Sequence, residues 1–458
     1  MLDLGHATRN ERARQMAATL LQRSGGFVSQ VFRTPSERKA GYRFVESKAF
    51  SWRELAAPMY AACARRCADL ALAICVIDGS SLAHTDNRGD DGVGPVGSLK
   101  AGGRGLKMMS LIVFDSHGVP LGVGGVEWWA RAEGGATTPH AKRELHEKES
   151  RHWVTLPAQF LRICRDVGVE TKLWLQMDAE GDANAVLMSG CDPRVYLTVR
   201  AHHDRLLFAN SIVDRSEMHL REAVADAPVL ARTHVRLRAT AKRKARLAKL
   251  EIRAVHITPR LRTQWSHTRL ADVFIGAVIA REIDPPQGEE ALHWLLLTTH
   301  PIHSAEDVLE VVRAYALRWG IEIVHLTLKS GRNHVEDCQL ESFGALTKWA
   351  TLHLSAAVQA QAILKRSREQ PDLPSDEVFE RDLIDAALLL YQSHRRDAPK
   401  PGTTPSLSMM VHIIASLGGY TGKSSGGPPG IKTFTRGMDD VHVAALVLVA
   451  QRSQAGPT

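Results

Sequence analysis

Two short runs, Leu70-Ala-Leu-Ala-Ile-Cys-Val-Ile77 and Lys172-Leu-Trp-Leu-Gln-Met177, each stop abruptly at an aspartate, Asp78 and Asp178. Runs this short and this continuously apolar have no polar face to turn toward water, so they read as strands covered on both sides. Covering both faces of a sheet requires helices above and below it, which makes the fold class α/β. A carboxylate at the C-terminal end of such a strand lies where open α/β sheets bind ligands. Strand-end aspartates also cap helices, and from either run alone both readings stay open.

Length and charge bound the rest. At 458 residues the chain exceeds one ordinary core. A net charge of +8 and a pI near 9.2 favour a polyanionic partner. The excess is concentrated: between Arg232 and Arg262 the only acid is Glu251, among Arg236, Arg238, Lys242, Arg243, Lys244, Arg246, Lys249 and Arg253. Nucleic acid is therefore the expected partner. No apolar run approaches the roughly 20 residues that span a bilayer, and Met-Leu-Asp-Leu-Gly-His lacks the form of a signal peptide, so a cytoplasmic protein is expected. The six cysteines show no paired spacing and read as buried small hydrophobes in a reducing compartment.

In chain order, helical periodicity over 7–24 and 51–69, the second interrupted by Pro58, suggests a helical N-terminal module, residues 1–69, with a polar, basic loop between the helices. Leu106–Phe114 and Pro120–Trp129 read as strands joined at Asp115-Ser-His-Gly118, and a helix follows from about Arg151 to Cys164. Arg194–Arg200 and Leu292–Thr298 are further strands. The alternating, basic stretch of about 203–290 between them reads as a β-rich insertion. Pro371–Pro374 and Arg395–Pro405 have linker composition. Short helices at 406–417 and 439–451 belong to a helical C-terminal module, residues 369–458.

Ser304 and Asp307 form the pattern of a capping box, and the stretch to Lys329 reads as helix. At about 100° per residue, Tyr315, Arg318, Glu322 and Lys329 share one narrow stripe. One acid among two cations and a phenol suits a face that grips phosphate beside a metal; it equally suits a solvated, salt-bridged stripe. Three carboxylates from separate elements, Asp78, Asp178 and Glu322, could hold a pair of hard cations, Mg²⁺ or Mn²⁺, for phosphoryl transfer.

Taken together these residues resemble the bacterial cut-and-paste DDE transposases of the Tyr-Arg-Glu-Lys signature group. The likeness rests on Asp78-Gly-Ser-Ser-Leu-Ala-His84, on Asp178-Ala-Glu-Gly-Asp182, and on Tyr315-x2-Arg318-x3-Glu322-x6-Lys329. Gly41-Tyr-Arg-Phe44, Glu127-Trp-Trp129, Glu282-Ile-Asp-Pro-Pro-Gln-Gly288, Trp294-Leu-Leu-Leu-Thr298 and Leu417-Gly-Gly-Tyr420 also look like family segments. The resemblance implies a ribonuclease H-like catalytic core over 70–368 carrying the β-rich insertion, between a DNA-binding N-terminal module and a C-terminal dimerisation module. It implies that Asp78, Asp178 and Glu322 bind two catalytic ions. It further implies DNA contacts from Arg9, Arg12, Arg23, Arg43, Arg200, Tyr315, Arg318 and Lys329, with Trp294 stacking on a flipped base and Trp319 as a second stacker. The implied partners are transposon-end DNA, target DNA and a second copy of the chain in a synaptic complex; the implied location is the bacterial cytoplasm, at the nucleoid. The sequence departs from the family at Gly79, Ala179, Gly320 and Gln22-Arg23, none of them a metal ligand. The rival readings are a catalytically silent DNA-binding repressor or architectural protein and a structure-selective nuclease on the same core.

Overall fold

A computed structural model describes residues 2–23, 25–84, 92–97, 103–134, 143–190, 192–208, 218–237, 244–263, 266–331, 333–393, 399–422 and 427–454. Of the basic run, Arg238, Lys242 and Arg243 lie outside the described residues, as does Cys191. The other five cysteines are free and buried.

Four helices come first: α1 (Ala7–Gln22), α2 (Val28–Val31), α3 (Pro35–Val45) and α4 (Trp52–Arg66). The segment expected as a loop before Gly41 is instead largely helical. Thr34 and Glu37 form a reciprocal capping box and Pro35 sits at the first helical position, where its missing N–H costs nothing. Ser51 caps α4, which runs through Pro58.

The sheet begins with β1 (Leu72–Ala83), β2 (Gly94–Pro95), β3 (Arg104–Phe114) and β4 (Pro120–Trp129). The β3–β4 hairpin turns where expected: Asp115 Oδ1 accepts from the N–H groups of His117 and Val119 at 2.9 and 2.8 Å, and Gly118 takes φ +79°. Next come α5 (His152–Asp166), β5 (Lys172–Met177), α6 (Asn184–Ser189) and β6 (Val195–Arg200). The expected insertion holds α7 (Leu220–Ala225), β7 (Val229–Leu237), β8 (Arg246–Ile257), β9 (Arg260–Thr263), β10 (Ser266–Asp272) and β11 (Ile275–Glu282), followed by β12 (His293–Thr298). It does not stand apart. β11, β8 and β7 continue the central sheet, whose order is β3-β1-β5-β6-β12-β11-β8-β7, with β2 and β4 both paired to β3. β1, β5 and β6 run parallel; the other pairings are antiparallel, giving a mixed sheet.

Alternation along β1 shows both faces covered. Ile74 and Val76 belong to one core, with side chains from α1, α3, α4 and α8 (Ala305–Ala316), α9 (Trp319–Leu326) and α10 (Phe343–Glu369). Ala73, Cys75 and Ile77 belong to the other, under α5 and α6. A third core gathers α11 (Arg381–Gln392), α12 (Leu407–Leu417) and α13 (Ile431–Gln454) around Ala360 and Leu364 of α10. α10 thus serves two cores, and the expected boundary at 368 falls in its last turn. α11 was not read from the sequence, and α13 begins eight residues before the expected Asp439.

Candidate functional site

Register brings the two aspartates together. β1 and β5 pair in parallel from Leu72↔Lys172 to Val76↔Gln176, so Asp78 and Asp178 each follow the last pair by two residues. Equal offsets on neighbouring parallel strands, about 4.8 Å apart, place both side chains at the same end of the sheet. One expectation fails here. Asp78 does not end its strand: β1 continues to Ala83 against β3, with Asp78 opposite Ser110. Only Asp178 stands at a strand end, where its Oδ1 accepts from the Glu180 N–H at 2.9 Å.

The third acid arrives on α9. Tyr315 to Lys329 is not one continuous helix. α8 ends at Ala316, Leu317 and Arg318 form a tightened turn, α9 spans Trp319–Leu326, and Thr327–Gly331 is a π-helical turn. Gly320 is where α9 abuts the sheet: a Cβ there would sit 2.8 Å from the Phe114 ring, so a larger residue has no room. His325 anchors α9 to β3 through Ser110 Oγ at 2.9 Å. Burial, then the nearby Lys329 charge, lowers the His325 pKa to about 3, so this buried imidazole is neutral.

Asp78, Asp178 and Glu322 line one cavity of about 510 Å³, together with Gly79, Arg318, His325, Leu326, Lys329 and Glu336. Arg318 lies across two of the acids, with Nη1 3.4 Å from Asp78 Oδ2 and Nη2 2.8 Å from Glu322 Oε1. Lys329 Nζ donates to Ser80 Oγ at 3.1 Å and Lys107 Nζ to Ser81 Oγ at 3.0 Å. Glu336, a fourth carboxylate that sequence reasoning missed, accepts the Ala83 N–H at 2.9 Å. Only its position in space, after the π turn, marks it.

Electrostatics follow from this crowding. Burial, and next the charge of Asp178, raise the Asp78 pKa to about 7, against the opposing pull of Arg318 and the Gly79 N–H. Burial disfavours the Arg318 charge, but Tyr315, Asp78, Glu322 and Asp178 outweigh it and the net direction is upward. Tyr315 is a layer beneath the cavity rather than on its wall. It is 3 % exposed, and burial raises its phenol to about 12 although Arg318 pulls the other way.

The remaining expected contacts divide by exposure. Trp294 is 4 % exposed, packed edge-to-face on Tyr315 at 5.1 Å and Trp319 at 5.5 Å between ring centroids. It is a core residue in this conformation and not an open stacking platform; Trp319 is half-buried. Arg23 is likewise inside, 9 % exposed, donating to the Val31 carbonyl at 3.0 Å. Arg9 donates to the Leu4 carbonyl at 2.9 Å and is half-buried, as is Arg12; Arg43 is exposed on α3. Arg200 is exposed at the end of β6, and the pairing Met177↔Val199 sets it beside Asp178.

Carboxylate oxygens are the donor type that a hard divalent cation such as Mg²⁺ or Mn²⁺ takes. With Arg318 lying between Asp78 and Glu322, no group of three or more His, Cys, Asp or Glu side chains among the described residues is gathered closely enough to hold one. No protein-family model matches the chain. Among the described residues no helix is long and apolar enough to cross a membrane.

Proposed function

We propose that the protein is a DNA transposase of the cut-and-paste type, acting on its own element ends by repeated phosphoryl transfer. The observation that carries the reading is the convergence of three acids, distant in sequence, on one cavity beside Arg318 and Lys329. The antiparallel β4-β3-β1 strands followed by β5 and β6 parallel to β1 support a ribonuclease H-like core.

In this reading water nicks one strand at the element end, and the freed 3′-hydroxyl attacks the opposite strand to close a hairpin. A second water reopens the hairpin, and the 3′-hydroxyl then attacks target DNA. Asp78, Asp178 and Glu322 would hold two Mg²⁺ or Mn²⁺ ions, which when bound supply a nucleophile at neutral pH and charge stabilisation of the leaving oxygen. Arg318 releases the carboxylates and, with Lys329, turns its donors to the phosphate. Tyr315 orients Arg318 from beneath. Stacking by Trp294 on a flipped base requires that it leave its place against Tyr315 and Trp319. Two element ends call for at least two copies of the chain, with the helical C-terminal module as the contact, in the bacterial cytoplasm at the nucleoid.

One observation favours a second reading, the catalytically silent DNA binder: Arg318 already pairs with two of the three acids, Asp78 and Glu322, where cations would bind. Incubating the protein and Mg²⁺ or Mn²⁺ with DNA carrying the repeats that border its gene separates the possibilities. Nicks, hairpins and joined products support the transposase. Binding without cleavage under either metal supports the silent binder, and cleavage without joining supports a structure-selective nuclease.

A further inference from the structure

A second set of cations lies along the same sheet edge, outside the carboxylate cavity. Arg200 ends β6 beside Asp178; β12 is the next strand, starting at His293; β11 follows, with Arg281 directly opposite His293. Arg221, in the first turn of α7, is close enough for its charge, with those of Arg200 and Arg281, to act on His293. All four residues are exposed.

Arginines gathered this closely repel unless something neutralises them, and several nearby acids are engaged elsewhere. Asp182 pairs with Arg205 at 2.6 Å and accepts the His202 and His203 N–H groups. Glu251 holds Arg232 and Arg253; Glu282 holds Arg246. Asp204 accepts the backbone N–H of Arg221 at 2.9 Å. Among the described residues none of Arg200, Arg221 and Arg281 is in an ion pair. Arg246 and Arg253 of the basic run are thus held in ion pairs, whereas Arg200, Arg221 and Arg281 come from three other elements.

We propose that Arg221, Arg281 and His293 extend Arg200 into a phosphodiester-binding track for a single DNA strand leading away from the carboxylate cavity. Arg200 is opposite Leu296, so Arg281 lies three strand steps across and three residues along from Asp178, on the order of 18 Å at about 4.8 Å per strand and about 3.3 Å per residue. Guanidinium forks supply paired donors to phosphate oxygens. Burial, then Arg200, Arg221 and Arg281, hold the His293 pKa below its ordinary value, which favours the neutral imidazole until a phosphate offsets those charges. Strand binding then takes up a proton and tightens as pH falls.

The track does not depend on catalysis, so it is measured without divalent metal: titrate a labelled single-stranded oligonucleotide into the full chain in chelator, by fluorescence anisotropy, across salt and pH. Arg221→Ala with Arg281→Ala is expected to weaken binding roughly tenfold. It is also expected to flatten the log–log salt dependence by roughly 1.4, about 0.7 for each lost contact. His293→Gln should remove the tightening at mildly acidic pH while leaving neutral-pH affinity nearly unchanged. Thermal melting of each variant reports folding, and Arg281→Glu repeats the test with a reversed charge. An unchanged salt slope in the double variant and in Arg281→Glu overturns the track. So does inorganic phosphate that competes as well as the oligonucleotide at equal phosphate concentration, which would make this a small-anion site. Loss of the track would leave the transposase reading intact, and absence of cleavage would leave the track intact.

Discussion

Asp78 offers the most direct test of the cavity, through stability. Its side chain is 16 % exposed, and its pKa of about 7 stands well above the ordinary aspartate value of 3.8. The folded protein therefore prefers Asp78 protonated: this contribution to stability is fully present below about pH 4 and is lost as pH rises through about 7. A difference of about three pH units corresponds to on the order of 4 kcal/mol, an upper bound because solvent reaches part of the carboxylate and screens it. Asn matches Asp in size and cannot ionise, and Arg318 keeps its 2.8 Å bond to Glu322. Asp78→Asn is thus expected to be more stable than wild type at about pH 8 by some 2–4 kcal/mol and nearly equal to it at about pH 4. Urea unfolding at both pH values in chelator measures the difference. Added Mg²⁺ should then recover stability in the wild type at about pH 8, by about 2.7 kcal/mol at a hundredfold excess over its dissociation constant, and not in Asp78→Asn. If the variant is the less stable at about pH 8, or the two proteins show the same pH profile, Asp78 does not bear the strained charge assigned to it.

Three further outcomes are expected. Glu322→Ala should abolish strand cleavage in a gel assay while leaving end binding close to wild type; equal loss of both would refute its assigned role. Gly437→Ala should destabilise the C-terminal helices by about 3 kcal/mol, because its Cβ would meet the Ile414 carbonyl oxygen at 1.7 Å and neither backbone can yield; urea unfolding reports it. Trp349→Ala should cost about 4 kcal/mol, since the ring is fully buried and its Nε1–H donates to the Gly26 carbonyl at 2.8 Å; chemical denaturation measures this, and an effect under about 1 kcal/mol would contradict that packing.

What the sequence determined by itself is what repeats locally. Continuous apolar runs specify strands covered on both faces, and β1 and β5 are such strands, with alternate residues of β1 in two different cores. The Ser304–Asp307 capping box and the Asp115–Gly118 turn also form, since both are satisfied within a few residues. The three acids and Arg318 were legible as residue types.

Their relation was decided only in three dimensions. The extension of β1 past Asp78 depends on β3 being there to pair with it. The break at Leu317–Arg318 and the π turn that contains Lys329 re-aim side chains that helical periodicity alone would have lined up with Tyr315. Glu336 enters the cavity, Trp294 and Arg23 turn inward, and Arg200 comes beside Asp178, all through long-range packing and register. A local pattern of polarity says which side of an element avoids water; it carries no term for which distant element will meet that side. Strand register and helix docking supply that term, and they settle which charges share a cavity.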